Sequence, residues 1–246
     1  MISIVMPAKN AGRYIQSCIS SIFKQSVNDW ELIVVDDHST DDTFSLVQAF
    51  ALSDSRVRLL KNRGSGILPA LQLAQRELKG DYITRMDSDD LMPDGKLETL
   101  LYLLPNSSQK SLATGKVQYF SEKTVSEGYL KYEDWLNTVV DNNSFYAEIY
   151  RECTIASPNW IMPAEGFLKM GGFDGLQYPE DYDMVFRLRK SGIDIKSTNQ
   201  LTHLWREHPD RASRKLADYQ QEAFFKLKLN HFLREEMGEG ASLVLW

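Results

Sequence analysis

Apolar residues change their spacing in a regular way along the first hundred positions. Ile2, Ile4, Val5 and Met6 form a short buried-strand run that stops at Pro7, whereas Tyr14, Ile15, Cys18, Ile19, Ile22 and Phe23 recur at helical spacing. Glu31 to Val35 is a second strand, apolar without alternation, as in parallel sheets covered on both faces. Asp41-Asp42-Thr43 supplies helix-start signals before Phe44, Leu46, Val47 and Phe50. Val57 to Leu60 predicts a third strand, residues 67–78 a helix with Pro69 in its first turn, Tyr82 to Met86 a fourth strand, and residues 94–104 another helix. This β-α-β-α-β-α-β order implies a parallel sheet with right-handed crossovers.

The rhythm then breaks. Residues 112–120 read as a strand, and residues 121–170 as an aromatic-rich irregular stretch suited to shaping a substrate site. Gly171-Gly172-Phe173-Asp174 reads as a turn, Asp181 to Lys190 as a helix stopped at Gly192, and residues 213–237 as an amphipathic terminal helix. The fold class expected is α/β: one domain with a mostly parallel sheet flanked by helices, followed by a C-terminal helical extension over 211–246.

Composition narrows the function. The 246 residues are 43% hydrophobic and 25% charged, an ordinary globular balance. A net charge of −6 gives no basic face for nucleic acid. Cys18 and Cys153 are too few for a disulfide framework, and neither has metal-ligand spacing. Ile2 to Met6 is too short and uncharged for a signal peptide, and no apolar run has membrane-spanning length, so the expected location is cytoplasmic. The apolar tail 241–246 has three readings: packing on the core, which is the expectation, contact with a second subunit in a homodimer, or peripheral association with the inner face of a membrane.

Charge placement points to a site. Asp87-Ser88-Asp89-Asp90 closes the fourth strand, and Asp36-Asp37-His38-Ser39-Thr40-Asp41-Asp42 closes the second. Carboxylates this dense repel one another unless a cation or hydrogen-bond donors hold them. In an extended turn, residues 87 and 89 point the same way and reach one oxygen-loving metal. Two acidic strand ends suggest a charged ligand, met through a metal, at the carboxyl edge of the sheet. Asp41 and Asp42 read as helix caps, Asp90 as a structural or capping acid.

Five blocks carry a family resemblance. Ile2 to Asn10, Trp30 to Asp41, Gly80 to Asp90, Gly171 to Asp174 and Glu180 to Asp183 occur in the order found in family 2 glycosyltransferases, and the chain resembles that family over roughly 1–210. The resemblance implies a single GT-A-type domain over 1–210 with a Rossmann-like sheet, its nucleotide-sugar half at 1–104 and its acceptor half at 105–210. It implies an inverting transfer of sugar from a nucleotide sugar, a UDP-sugar as the class, to an acceptor hydroxyl on a glycan or lipid-linked acceptor in surface polysaccharide synthesis. The implied cofactor is a divalent cation, Mn²⁺ or Mg²⁺, held by Asp87, Asp89 and His208. Donor binding falls to Pro7, Ala8, Asn10, Asp36, Asp37, Lys61, Arg63, Gly66, Asp87 and Ser88. Asp181 becomes the catalytic base, ionised at neutral pH beside a helix N-terminus, with Glu180 and Trp160 on the acceptor side, the indole as a platform for a sugar ring.

Two positions depart from the family pattern. His38 stands where glycine is usual, and Lys9 where an aromatic is usual; both leave the donor's identity open. Lys61 and Arg63 also read as surface cations, and His203 as a packing or hydrogen-bonding residue. The rival functions are a nucleotidyltransferase, which needs a Gly-rich basic loop where Pro7 to Arg13 stands, and a non-catalytic nucleotide-sugar-binding protein.

Overall fold

The computed structural model describes residues 1–104, 109–174, 179–211 and 221–237. Seven strands form one sheet in the order β3-β2-β1-β4-β6-β5-β7. They are β1 (Ile2–Ala8), β2 (Trp30–Asp36), β3 (Val57–Lys61), β4 (Tyr82–Arg85), β5 (Ser111–Phe120), β6 (Trp160–Pro163) and β7 (Asp194–Arg206). All pairings are parallel except those of β6, which runs antiparallel to both β4 and β5. The α/β class and mostly parallel sheet expected from the alternation are what the chain forms.

The continuous apolar runs are explained by burial on both faces. On β1 and β2, Ile4, Met6, Leu32 and Val34 feed one core, while Val5, Ile33 and Val35 feed the opposite core. Helices α1 (Ile15–Phe23), α2 (Thr43–Ser53) and α4 (Lys96–Tyr102) cover the first face. Helix α3 (Ile67–Gln75) and the later helices α5 (Glu127–Asn142), α6 (Ala164–Lys169) and α7 (Glu180–Lys190) cover the second.

The second half corrects the expected irregular stretch. Residues 121–170 contain α5, β6 and α6. Helix α5 buries only Leu136, Val139 and Val140, too thin a stripe to stand out among its tyrosines and charges. Strand β6 has four residues. Strand β7, also unexpected, is a sheet edge that alternates poorly, exposes Asn199, Gln200 and Leu201, and slips register against β5 near Gly115 and Lys116.

The turn at Gly171-Gly172-Phe173-Asp174 is tied to α3. Gln75 Oε1 accepts from the Phe173 N–H at 2.6 Å, and a β-carbon on Gly172, at φ +52°, would stand 2.1 Å from that oxygen. The terminal helix is described over Gln221–Met237, here α8; the tail 241–246 lies outside the described residues. Helix α8 docks on α7, with His231 Nε2 2.7 Å from Asp183 Oδ1 and its ring stacked on Phe186 at 4.3 Å. No helix among the described residues is long and apolar enough to cross a membrane.

Candidate active site

Parallel register brings the acidic ends together at the carboxyl edge. Ala8 pairs with Asp36, and Asp36 with Lys61. Asp37 follows, donating its N–H to Ala8 O at 2.8 Å. Its carboxylate is surrounded by donors: Lys9 Nζ at 3.0 Å, Asn62 Nδ2 at 2.7 Å, and the Gly66 N–H at 3.0 Å from each oxygen. Burial pushes this carboxyl up, but the donors outweigh it and hold it below the ordinary carboxylate range. Gly66 reaches it at φ +94°, where a side chain is strained.

Pro7, Ala8, Asn10, Asp36, Asp37 and Gly66 are thus gathered in one place. Asn10 Oδ1 accepts from the Thr40 N–H at 2.8 Å, which ties the β1 and β2 ends. Lys61 and Arg63 are less central. Lys61 is exposed with its ammonium 4.7 Å from the Phe44 ring centre, and Arg63 sits exposed in the loop. His38 occupies the left-handed region at φ +58°, which accounts for glycine being usual there, and its Nε2 lies 2.7 Å from Gly64 O. Lys9 and Asn62 are contributors to this pocket that the sequence reading did not assign. Lys9 was signalled by standing where the family usually has an aromatic, and Asn62 only by polarity after a strand end.

The second acidic cluster is a tight turn, with the Asp90 N–H donating to Asp87 O at 3.3 Å. This geometry separates the three acids, where an extended turn would have aligned Asp87 with Asp89. Asp89 Oδ2 meets His208 Nε2 at 2.8 Å. Asp87 Oδ1 instead accepts from Arg85 Nε at 2.8 Å, so the cation it faces is a guanidinium. Asp90 is buried and accepts from the Arg206 N–H at 2.7 Å, with His203 Nε2 at 2.9 Å from its other oxygen. Burial pushes the Asp90 carboxyl well up and the His203 imidazole well down, so for each of them burial works against the charged form. Ser88 is buried beside them. Strand β7 delivers His203, Arg206 and, just beyond its end, His208; missing that strand hid how His208 reaches Asp89.

Metal fit can be tested on this pair. Among the described residues no three His, Cys, Asp or Glu side chains cluster to hold an ion alone. His208 Nε2 faces Asp89 while the Asp210 N–H lies 3.3 Å from Nδ1, so holding an ion through Nε2 requires the ring proton on Nδ1 and the loss of that second contact. Two neighbouring ligands on an octahedral ion with bonds of about 2.1 Å stand about 3 Å apart, close to the observed 2.8 Å. One carboxylate and one imidazole suit Mn²⁺ or Mg²⁺ when phosphate and water oxygens complete the shell.

The first turn of α7 carries Glu180 and Asp181. Glu180 is buried and receives Arg85 Nη1 at 3.0 Å, so its carboxylate faces inward to a cation and not outward to an acceptor. Asp181 is partly exposed, with Oδ1 accepting from the Tyr182 N–H at 2.8 Å. Burial, then the Glu180 charge, push its carboxyl up to about 7 despite Arg85 and the helix N-terminus. Its proton is therefore held to near neutrality, where the sequence led us to expect a plain anion. Asp181 lines a small cavity with Arg85, Ser157, Trp160 and Glu180, and the Ser157 hydroxyl is buried there with no hydrogen-bond partner. Trp160 is fully buried, donates Nε1–H to Ser157 O at 2.7 Å and stacks on Phe167. It forms the cavity wall and core, and no ring face is open for a sugar.

Fold and site together define an α/β protein whose mostly parallel sheet gathers carboxylates at its carboxyl edge. The glycosyl transferase family 2 model matches residues 3–158, and the chain belongs to that family. The chain is 29% identical over 228 residues to a chondroitin synthase of Escherichia coli, covering 92% of this chain and 32% of the synthase, about a third of its length. Among solved structures it resembles Staphylococcus aureus TarS 1–349 in complex with UDP-GlcNAc (TM-score 0.71, 16% identity, 94% of this chain and 66% of that one). It also resembles the mannosyltransferase PcManGT of Pyrobaculum calidifontis in complex with GDP-Man and Mn²⁺ (TM-score 0.66, 18% identity, 98% of this chain and 65% of that one).

Proposed function

We propose that this chain is a metal-dependent inverting glycosyltransferase that moves a sugar from a UDP-sugar to a hydroxyl of a polysaccharide under assembly. The observation that carries the reading is the meeting of Asp37, the Asp89–His208 pair and Asp181 along one sheet edge, on a chain of this family. Asp37, held as an anion, accepts hydrogen bonds from the nucleobase, with Pro7, Ala8, Asn10, Asp36 and Gly66 around the nucleoside. Lys61 and Arg63 lie on the open side, where they meet the donor as it enters. Asp89 and His208 hold the divalent cation, with Asp87 and Ser88 against the donor. The ion supplies Lewis-acid stabilisation of the departing diphosphate.

Asp181 takes the acceptor hydroxyl proton as the acceptor oxygen bonds to the anomeric carbon. The bond from that carbon to the diphosphate breaks on the opposite face, and the diphosphate leaves with the electron pair. A proton affinity near neutrality suits this exchange. The transferase domain spans 1–210, and of the segment beyond it the helix α8 (Gln221–Met237) packs on α7.

Transfer from a panel of UDP- and GDP-sugars, with Mn²⁺ and with EDTA, tests the proposal. Metal-dependent transfer from a UDP-sugar is expected. Tight nucleotide binding without turnover would favour a binding protein, and pyrophosphate release from a nucleoside triphosphate and a sugar phosphate would favour a nucleotidyltransferase.

A further inference from the structure

Arg85 is a side chain at this edge to which the transfer chemistry gives no task. It is the last residue of β4, 5% exposed. Its guanidinium reaches two carboxylates from distant parts of the chain: Nε donates to Asp87 Oδ1 at 2.8 Å and Nη1 to Glu180 Oε1 at 3.0 Å. Stability is a poor reason for such an arrangement, because well-packed apolar side chains often replace a buried ion pair without loss. Geometry is a better one. The planar fork fixes the angle between its partners as a lysine ammonium cannot. One rigid group therefore holds both the acidic turn after β4 and the first turn of α7, where Asp181 follows Glu180.

We propose that Arg85 is a positioning residue of the transfer step: it ties the donor-side acidic turn to the acid pair of α7 and so fixes Asp181 relative to the departing diphosphate. The proposal rests on reading Asp181 as the base. The charges facing Asp181 are Glu180 and Asp87 of its own sign and Arg85 of the opposite sign, with the Cys153 thiol and Tyr132 hydroxyl nearby, both kept neutral by burial. Without Arg85, the named charges of the described residues that bear on Asp181 are the two anions Glu180 and Asp87.

The test compares wild type with R85K, R85Q and the double variant R85Q/E180Q, which removes both charges of the buried pair and protects against misfolding of R85Q. Two readouts are taken: kcat and donor KM for sugar transfer, and the titration midpoint of the Asp181 carboxyl by ¹³C NMR, assigned against D181N and requiring no substrate. We expect kcat to fall about 10-fold in R85K and about 100-fold in R85Q and R85Q/E180Q, as a misplaced reacting group costs. Donor KM should stay within about threefold of wild type, since no donor contact is removed. The Asp181 midpoint should rise in R85Q and stay near wild type in R85K. Wild-type kcat in R85K and in the double variant, with an unmoved midpoint in R85Q, would overturn the proposal. A wild type that transfers no sugar would sink the transferase reading instead, and the R85Q midpoint would then decide the Arg85 link alone.

Discussion

Asp37 and Asp181 are the same side chain at two ends of one site, and their surroundings pull their protons in opposite directions. Both lose solvent, which raises proton affinity. Around Asp37, an ammonium, a carboxamide and a backbone N–H are aimed at the carboxylate, and they hold it ionised. Around Asp181, Glu180 and Asp87 add negative charge, with one N–H and the Arg85 guanidinium against them, and the proton stays until about pH 7. Burial alone does not decide what a carboxylate does; the donors aimed at it do. A donor-rich acid is a fixed anion for holding a ligand. A donor-poor acid can exchange a proton at neutral pH.

The largest effects should come from the donor-poor end. Asp181→Asn should lower kcat by about 1,000-fold, within the range of general-base catalysis, while calorimetry shows nucleotide affinity unchanged. In wild type the same group sets the pH profile. With a base titrating at about 7, kcat should fall about tenfold per unit below that pH and level off above it. Stability runs the other way. The folded carboxyl binds its proton more tightly than the unfolded one, so stability is fullest below about pH 4 and is lost as pH rises towards 7. Removing that cost makes Asp181→Asn more stable at pH 7 by about 2 kcal/mol after allowance for screening at a partly exposed group, read as a higher Tm. A variant that loses activity and stability together would contradict this contrast.

Metal variants come next and probe the edge between the two acids. Asp89→Ala should lower transfer by about 100-fold, with no recovery at high Mn²⁺, because oxygen ligands are what Mn²⁺ and Mg²⁺ prefer. His208→Ala should lose less, about 10-fold, and should recover in part as Mn²⁺ is raised. Equal loss in Asp87→Ala and Asp89→Ala, with Mn²⁺ rescue of neither, would put Asp87 back among the ligands.

The same contrast explains what the sequence revealed. Asp37 and its partners lie at the ends of consecutive parallel strands, where the apolar runs of β1 and β2 are unmistakable because both faces are covered. The β-α alternation, the parallel sheet and its carboxyl edge followed from those runs. The acceptor side is built from a four-residue β6, an edge strand β7 with poor alternation, and an α5 whose apolar stripe is thin. None carries a clear period, and Trp160, a platform only by the family resemblance, is core. The proton affinity of Asp181 was also out of reach, because Arg85 and Glu180 are neighbours only after 95 positions of chain fold back. The helix start at Glu180 was visible, and it suggested the opposite charge state.

At the donor-rich end, smaller effects are expected. Asp37→Asn keeps the shape but removes the charge that Lys9, Asn62 and Gly66 address. Charge-assisted hydrogen bonds of this kind contribute about 1.5–3 kcal/mol, so donor KM should rise by roughly 10-fold or more with kcat little changed. Transfer assays at varied donor concentration separate the two constants. A fall in kcat with unchanged KM would give Asp37 a part in the chemical step and erase the distinction between the acids.

The smallest effect is expected one residue further along. His38 stands at φ +58°, a conformation that costs a residue with a β-carbon about 1 kcal/mol. Its Nε2 lies 2.7 Å from Gly64 O, an exposed contact that contributes about 0.5–1 kcal/mol. His38→Gly relieves the first and loses the second, so the two nearly cancel. Tm should move by no more than about 2 °C, and donor KM by no more than about twofold. A larger rise in KM at unchanged Tm would mean that the His38–Gly64 contact orders the loop presenting the Gly66 N–H to Asp37. The anion at Asp37 would then depend on a side chain that the family usually lacks, and this chain's donor pocket would be held together in its own way.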